Sequence, residues 1–216
     1  MSKIFIVGGA GKVGRRLAQQ LCKRGHEPLS LYRKPEQRDE LTALGATPIE
    51  GDLTSLSVKD LAEMMKGCDT AVFSAGAGGA GMEVTNAIDG AGLEKSVEAA
   101  KVAGIQRLLL VSVFPDALRY QERKEGFENY IRVKKLADAY LVASGLDYVI
   151  VRPGTLTEGT GRGRVRADLA IPYGEVPRDD VAAVLAEFVD RPDVTRTIIE
   201  LTEGEMPVSD AIARLA

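Results

Sequence analysis

The chain has 216 residues, 45% hydrophobic and 27% charged, with 28 Lys and Arg against 31 Asp and Glu for a formal charge of -3. That balance suits one folded unit and argues against a disordered chain or a dedicated nucleic-acid binder, which carries a basic excess. One histidine and two cysteines leave no multi-His metal site and no disulfide framework, and no run reaches the ~18 to 20 apolar residues of a membrane span. The expectation is a cytoplasmic protein acting on a small molecule, with no metal and neither nucleic acid nor membrane as partner. Its oligomeric state is not legible.

In chain order, residues 3–7 read as a buried strand, 13–24 as a helix and 28–32 as a second strand. A helix over 36–44, a strand at 47–50, a helix over 58–65 and a strand at 70–73 follow. Residues 84–103 read as one long helix, then come a strand at 107–111, a helix over 127–144 and a strand at 148–151. After Pro153 the pattern loosens into a Gly- and Arg-rich stretch, 155–168, before a helix at 179–189, a strand at 197–202 and a helix at 208–215. Continuous apolar strands alternating with amphipathic helices predict an α/β fold: a doubly wound parallel sheet of the Rossmann type. No linker separates a second domain, so 1–216 reads as one unit, with 155–216 supplying a small substrate-side region.

The strongest local signal is Gly8-Gly-Ala-Gly11-Lys12-Val13-Gly14, directly after the first strand and opening the first helix. Gly8 allows the turn, Gly11 lets backbone approach a pyrophosphate, and Gly14 lets helix and strand pack closely. The helix start at Lys12 and Val13 then faces the phosphates with free amides. At the end of the second strand an NAD site usually carries an acid for the ribose 2′-hydroxyl, whereas this chain has Arg33 and Lys34. Two cations favour a 2′-phosphate and hence NADP, unless both are simply solvated residues at a helix start. Asp52 and Leu53 follow the third strand, where the carboxylate either accepts from the adenine amino group or closes an Asx turn that caps the next helix. Ser74, Ala75 and Gly76 end the fourth strand, and their small size lets adenosine and ribose lie close.

With those motifs, 102–108 leading to Val111-Ser112, 134–141, 144–154 and Arg178-Asp-Asp-Val-Ala182 complete a pattern over nearly the whole chain. The sequence resembles the atypical short-chain dehydrogenase/reductases, the NAD(P)-binding group with epimerase/dehydratase-like and NmrA-like members. The resemblance implies an NADP(H)-dependent oxidoreductase transferring hydride to or from a small carbonyl, alcohol or sugar-like substrate. It also implies catalysis by Tyr130-x-x-x-Lys134, with Lys134 lowering the Tyr130 pKa and reaching the nicotinamide ribose, and Ser112 steadying the substrate oxygen. Asp89 stands where the superfamily usually has Asn. Pro153, Thr155 and Leu156 would lie against the nicotinamide amide. Tyr120-x-x-x-Lys124 is a second match to the motif, and Tyr120 suits a lid or substrate contact better. Arg162, Arg164 and Arg166 read as a solvated loop or, alternatively, a grip on an anionic substrate. Two rival readings are a non-enzymatic NADP-binding redox sensor and a flavin- or quinone-type reductase without a catalytic Tyr.

Overall fold

The computed structural model describes residues 1–120, 122 and 124–215. Its elements run β1 (Lys3–Val7), α1 (Lys12–Lys23), β2 (Glu27–Tyr32), α2 (Gln37–Ala43), β3 (Thr47–Glu50), α3 (Val58–Met65), β4 (Thr70–Phe73) and α4 (Met82–Thr85). A π-helical turn (Asn86–Gly92), α5 (Leu93–Ala103), β5 (Arg107–Val111), α6 (Glu125–Ala143), β6 (Asp147–Pro153) and β7 (Thr155–Thr157) follow. The chain closes with β8 (Arg164–Asp168), β9 (Glu175–Pro177), α7 (Arg178–Asp190), β10 (Thr197–Glu203), β11 (Met206–Pro207) and α8 (Val208–Ala213).

Nine strands form one sheet in the order β11-β8-β10-β6-β5-β4-β1-β2-β3. The strands from β3 across to β10 are parallel, and β8 and β11 add an antiparallel edge. Strand alternation divides the apolar residues between two faces. Ile4, Ile6, Val72, Leu109 and Val151 point to α1, α7 and α8 and pack with Leu17, Leu21, Leu185 and Ile212. Phe5, Val7, Phe73, Leu110 and Ile150 point the other way, onto Leu61, Met65, Val97 and Leu141 of α3, α5 and α6. This is the doubly wound parallel sheet that the alternation implies. The strand order reverses between β1 and β4, which leaves a crevice at the carboxyl ends of the strands. No described helix is long and apolar enough to cross a membrane.

Two stretches depart from the sequence expectation. The continuous helix expected over 84–103 is broken by the π turn, whose wider winding admits one extra residue and turns Asp89 inward to 1% exposure. Gly92 and Gly90 let that turn press against Leu53 and Val133, since a Cβ on them would stand 2.9 and 3.2 Å from those side chains. The loosened stretch 155–168 contains β7 and β8. In β8, Val165 is buried while Arg164 and Arg166 alternate outward near the sheet edge, where charge discourages further pairing. Acids at the start of α7 fasten the intervening loop: Asp180 accepts from the amides of Arg162 (3.2 Å) and Gly163 (2.8 Å), and Asp179 from that of Gly161 (3.1 Å).

Candidate functional site

A cleft of about 920 Å³ follows the crevice, from Arg33 at the end of β2 to Tyr130 and Lys134 on α6. At its centre Gly8 has φ +83°, and a Cβ there would stand 2.5 Å from the Ala75 backbone nitrogen. A Cβ on Gly14 would stand 2.3 Å from the Gly8 carbonyl oxygen, so only glycine lets α1 sit this close to β1. The helix starts without a capping side chain and without an acid in its first turn. In contrast, Ser57 and Asp60 close the start of α3 with a reciprocal capping box. The first amides of α1 therefore remain for an external anion, and this cradle fits the pyrophosphate of a dinucleotide.

Cations cluster around that cradle. Glu158, in the loop after β7, meets Lys12 at 2.6 Å, Arg178 at 3.0 Å and Arg16 at 3.3 Å. The Lys12 hydrogen bond foremost, with Arg178 and Arg16 adding, holds the Glu158 carboxyl below its ordinary value. At the end of β2 the cleft is bordered by Tyr32, Arg33 and Gln37, none of them acidic. Asp52 accepts at Oδ1 from the Thr54 amide (2.9 Å) and hydroxyl (2.7 Å), which lowers its pKa, and Arg33 adds to that. The Asx turn is therefore present, although Ser57 rather than Asp52 caps α3. Lys95 donates to the Leu53 carbonyl (2.7 Å) and pins this loop to α5.

At the other end Ser112, Tyr130 and Lys134 all border the cleft. Lys134 is buried, donates to the Val111 carbonyl at 2.9 Å and pairs with Asp89 Oδ1 at 3.2 Å. The second Asp89 oxygen accepts from the Ala77 amide at 2.9 Å, so Asp89 ties the loop after β4 to the Lys134 ammonium. Lys134 Nζ lies 6.0 Å from the Tyr130 ring centre. Burial pushes the Tyr130 phenol above its ordinary value; Lys134 pulls it down, while Asp89 and Asp138 push it further up. The expected lowering by Lys134 is thus present, but desolvation outweighs it and the net direction is upward. The Tyr130 hydroxyl has no hydrogen-bond partner among the described residues.

Ser112 is buried, and its hydroxyl lacks a partner in full hydrogen-bond geometry. Its neighbour is the Asp138 carboxyl, one turn beyond Lys134 on α6. Asp138 Oδ2 takes both Nε and Nη2 of Arg152 at 2.9 Å, and Oδ1 is left buried and unpartnered. Burial raises the Asp138 pKa, with Ser112 and Arg152 opposing.

Of the sequence-predicted residues, Gly8, Gly11, Lys12, Val13, Arg33, Asp52, Leu53, Ser74, Ala75, Gly76, Ser112, Tyr130, Lys134 and Leu156 border one cleft. Gly14, Lys34, Pro153 and Thr155 lie outside its lining. Gly14 packs behind the turn, and Thr155 is held to the segment after β8 through its hydroxyl, 2.7 Å from that of Tyr173. Tyr120 is 96% exposed and does not border the cleft, although Lys124 does; two residues between them lie outside the described residues. Arg162, Arg164 and Arg166 also lie away from it. Sequence reading missed Arg178, Phe127 and Asp138. Asp138 continues the four-residue spacing of Tyr130 and Lys134, a signal that was available; Arg178 opens one of the stretches that carry the family resemblance, but only the fold shows that α7 lies beside α1.

A family model described as NAD(P)H-binding matches residues 8–192. The "Uncharacterized sugar epimerase YhfK" of Bacillus subtilis is 36% identical over 215 residues, covering 99% of this chain and all of that one. A Bacillus halodurans structure described as a "Putative NAD-dependent epimerase/dehydratase" superposes with a TM-score of 0.91 at 32% identity, over the full length of both chains. A Stigmatella aurantiaca protein named 4-hydroxy-2-methyl-3-oxo-4-farnesyl-3,4-dihydroquinoline-1-oxide ketoreductase is 34% identical over 169 residues, 70% of this chain and 49% of that protein.

Proposed function

Because the chain belongs to the atypical short-chain dehydrogenase/reductases, an NAD(P)-binding family, we propose that it is an NADP(H)-dependent reductase of a small carbonyl compound. One observation carries this reading: a single cleft has Arg33 and no acid at the β2 end, and Tyr130, Lys134 and Ser112 at the other. The uncapped start of α1 would hold the pyrophosphate, and Arg33 would fork onto a 2′-phosphate. Bound NADPH supplies the hydride. Tyr130, a phenol that is protonated at neutral pH, donates a proton to the substrate oxygen. Ser112 offers a second hydrogen bond to that oxygen as charge develops there. Buried Lys134 stays fixed between Val111 and Asp89 and places a positive charge beside the phenol. The ketoreductase relative supports reduction as the direction of chemistry.

Fluorescence titration with NADPH and NADH tests the cofactor. NADPH binds at least ~10-fold tighter, and Arg33→Ala removes about that factor for NADPH while sparing NADH. Equal or tighter binding of NADH overturns the NADP assignment. NADPH uptake without oxidation over a broad carbonyl panel would instead favour a redox-sensing module. Oxidation that survives Tyr130→Phe would favour a reductase with no catalytic tyrosine.

A further inference from the structure

Two of the cations that border the cleft, Lys12 and Arg178, are each the first residue of a helix, α1 and α7. Among the described residues they share a single acid. Lys12 Nζ lies 2.6 Å from Glu158 Oε1, and Arg178 Nη1 lies 3.0 Å from the same oxygen. Glu158 itself does not border the cleft. Arg16 also reaches this carboxylate, at 3.3 Å, but has an acid of its own in Asp179 at 2.6 Å.

This contact is built to be exchanged. The Glu158 side chain is 52% exposed and that of Lys12 66%, so water can replace either partner and the pair adds little to stability. Arg178 differs, with a side chain only 19% exposed. Its Nη1 also donates to the Leu156 carbonyl at 3.1 Å, which keeps the guanidinium at the cleft wall whichever anion faces it. The chain beyond Glu158 is fixed, since the amides of Gly161, Arg162 and Gly163 are tied to Asp179 and Asp180. The carboxylate can therefore leave by side-chain rotation while the loop keeps its path.

Charge decides what takes its place. A dinucleotide laid over the first amides of α1 brings two phosphate charges to the helix that Lys12 begins. Phosphate oxygens accept from the same donors as a carboxylate, and a guanidinium suits them especially well. The two cations then face two negative charges in exchange for one.

We propose that Lys12 and Arg178 clamp the diphosphate of the cofactor, and that Glu158 competes for the same two cations and so weakens cofactor binding. The inference rests on the NADP reading above and adds to it a cofactor ligand from the last third of the chain. With the diphosphate in place, both cationic heads turn to it, and Glu158 turns toward solvent with Arg16 as its remaining partner.

Fluorescence titration with NADPH tests this, beside calorimetry with 2′-AMP, which carries the 2′-phosphate but no diphosphate. Glu158→Gln, a change at an exposed side chain, tightens NADPH about fivefold and leaves 2′-AMP within roughly 1.5-fold. Arg178→Gln weakens NADPH about fourfold in the wild-type background and about tenfold beside Glu158→Gln, because there the guanidinium is no longer shared. A protein that takes up no NADPH overturns the NADP reading and this inference together. Where NADPH binds, an affinity that Glu158→Gln leaves unmoved or weakens overturns this inference alone. So does a 2′-AMP affinity that rises as much as that for NADPH, which would mark a general field and not a contest for two cations. An Arg178→Gln cost that is equal in both backgrounds does the same.

Discussion

Asp89 is the side chain that joins the Lys134 end of the cleft to the loop after β4. One of its oxygens holds the Ala77 amide and the other faces the Lys134 ammonium, and both charges are buried. The carboxylate therefore secures the lysine but also repels a phenolate, which adds to the burial that raises the Tyr130 pKa. For reduction a raised value has a cost, because it makes the phenol a weaker proton donor. A raised value keeps the phenol protonated through neutral and mildly alkaline pH, and donation fails only as pH climbs past it. Asp89→Asn keeps the shape and an oxygen for Ala77 while deleting the charge, so the Tyr130 pKa falls. Ultraviolet titration of phenolate, differenced against Tyr130→Phe to isolate one of six tyrosines, shows that shift directly. The alkaline limb of kcat/KM for reduction then moves to lower pH by the same amount. An unchanged or raised Tyr130 pKa in Asp89→Asn sinks this account.

At the scale of elements, α7 depends on a residue from a distant strand. Arg107, at the start of β5, is buried and sends Nη2 to the carbonyls of Phe188 (3.2 Å), Arg191 (3.3 Å) and Val194 (2.8 Å), with Nη1 reaching that of Pro192 (3.5 Å). Phe188 lies in the last turn of α7, and Arg191, Pro192 and Val194 belong to the turn that follows it, so the guanidinium gathers carbonyls at the helix end and complements the negative pole of α7. Burial lowers the Arg107 pKa, a cost that those acceptors offset. Arg107→Met strands them in a closed site at about 3 kcal/mol, so thermal unfolding monitored by circular dichroism falls by ~6–12 °C. A shift under ~2 °C would mean that the carbonyls find other partners. Sequence reading found β5 with its bounds intact because Arg107 is followed by the continuous apolar run Leu108-Leu-Leu-Val111. It could not assign Arg107, whose partners lie some eighty residues away. Local pattern likewise made the glycine turn and the strands around it legible, because that chemistry is contiguous. It was blind to the π turn, since one extra residue in a helical run leaves no periodic mark, and to β8, whose outward arginines resemble a loop.

Across the whole molecule, the last third of the chain is part of the sheet rather than an attachment to it. β10 lies parallel beside β6, with Thr197 opposite Val149 and Leu201 opposite Pro153. The α1 face of the core mixes Leu17 and Leu21 with Val184, Leu185 and Ile212. Across the same junction Arg24 meets Glu187 (3.0 Å) and Asp190 (2.6 Å), and Arg16 meets Asp179 (2.6 Å). The pyrophosphate cradle at α1 thus rests directly on α7, and the two cannot come apart without exposing a shared core. Thermal unfolding accordingly runs as one transition, and NADPH moves all of it. At 100 times its dissociation constant a ligand specific to the native state adds about 2.7 kcal/mol, which in a chain of this size raises Tm by roughly 5–10 °C. On the proposed pairing of Arg33 with a 2′-phosphate, NADH at the same concentration produces a smaller rise. Differential scanning calorimetry reads both effects. Two separate transitions, with only one displaced by NADPH, would show that the C-terminal third unfolds on its own and that the continuity of sheet and core does not make the molecule cooperative.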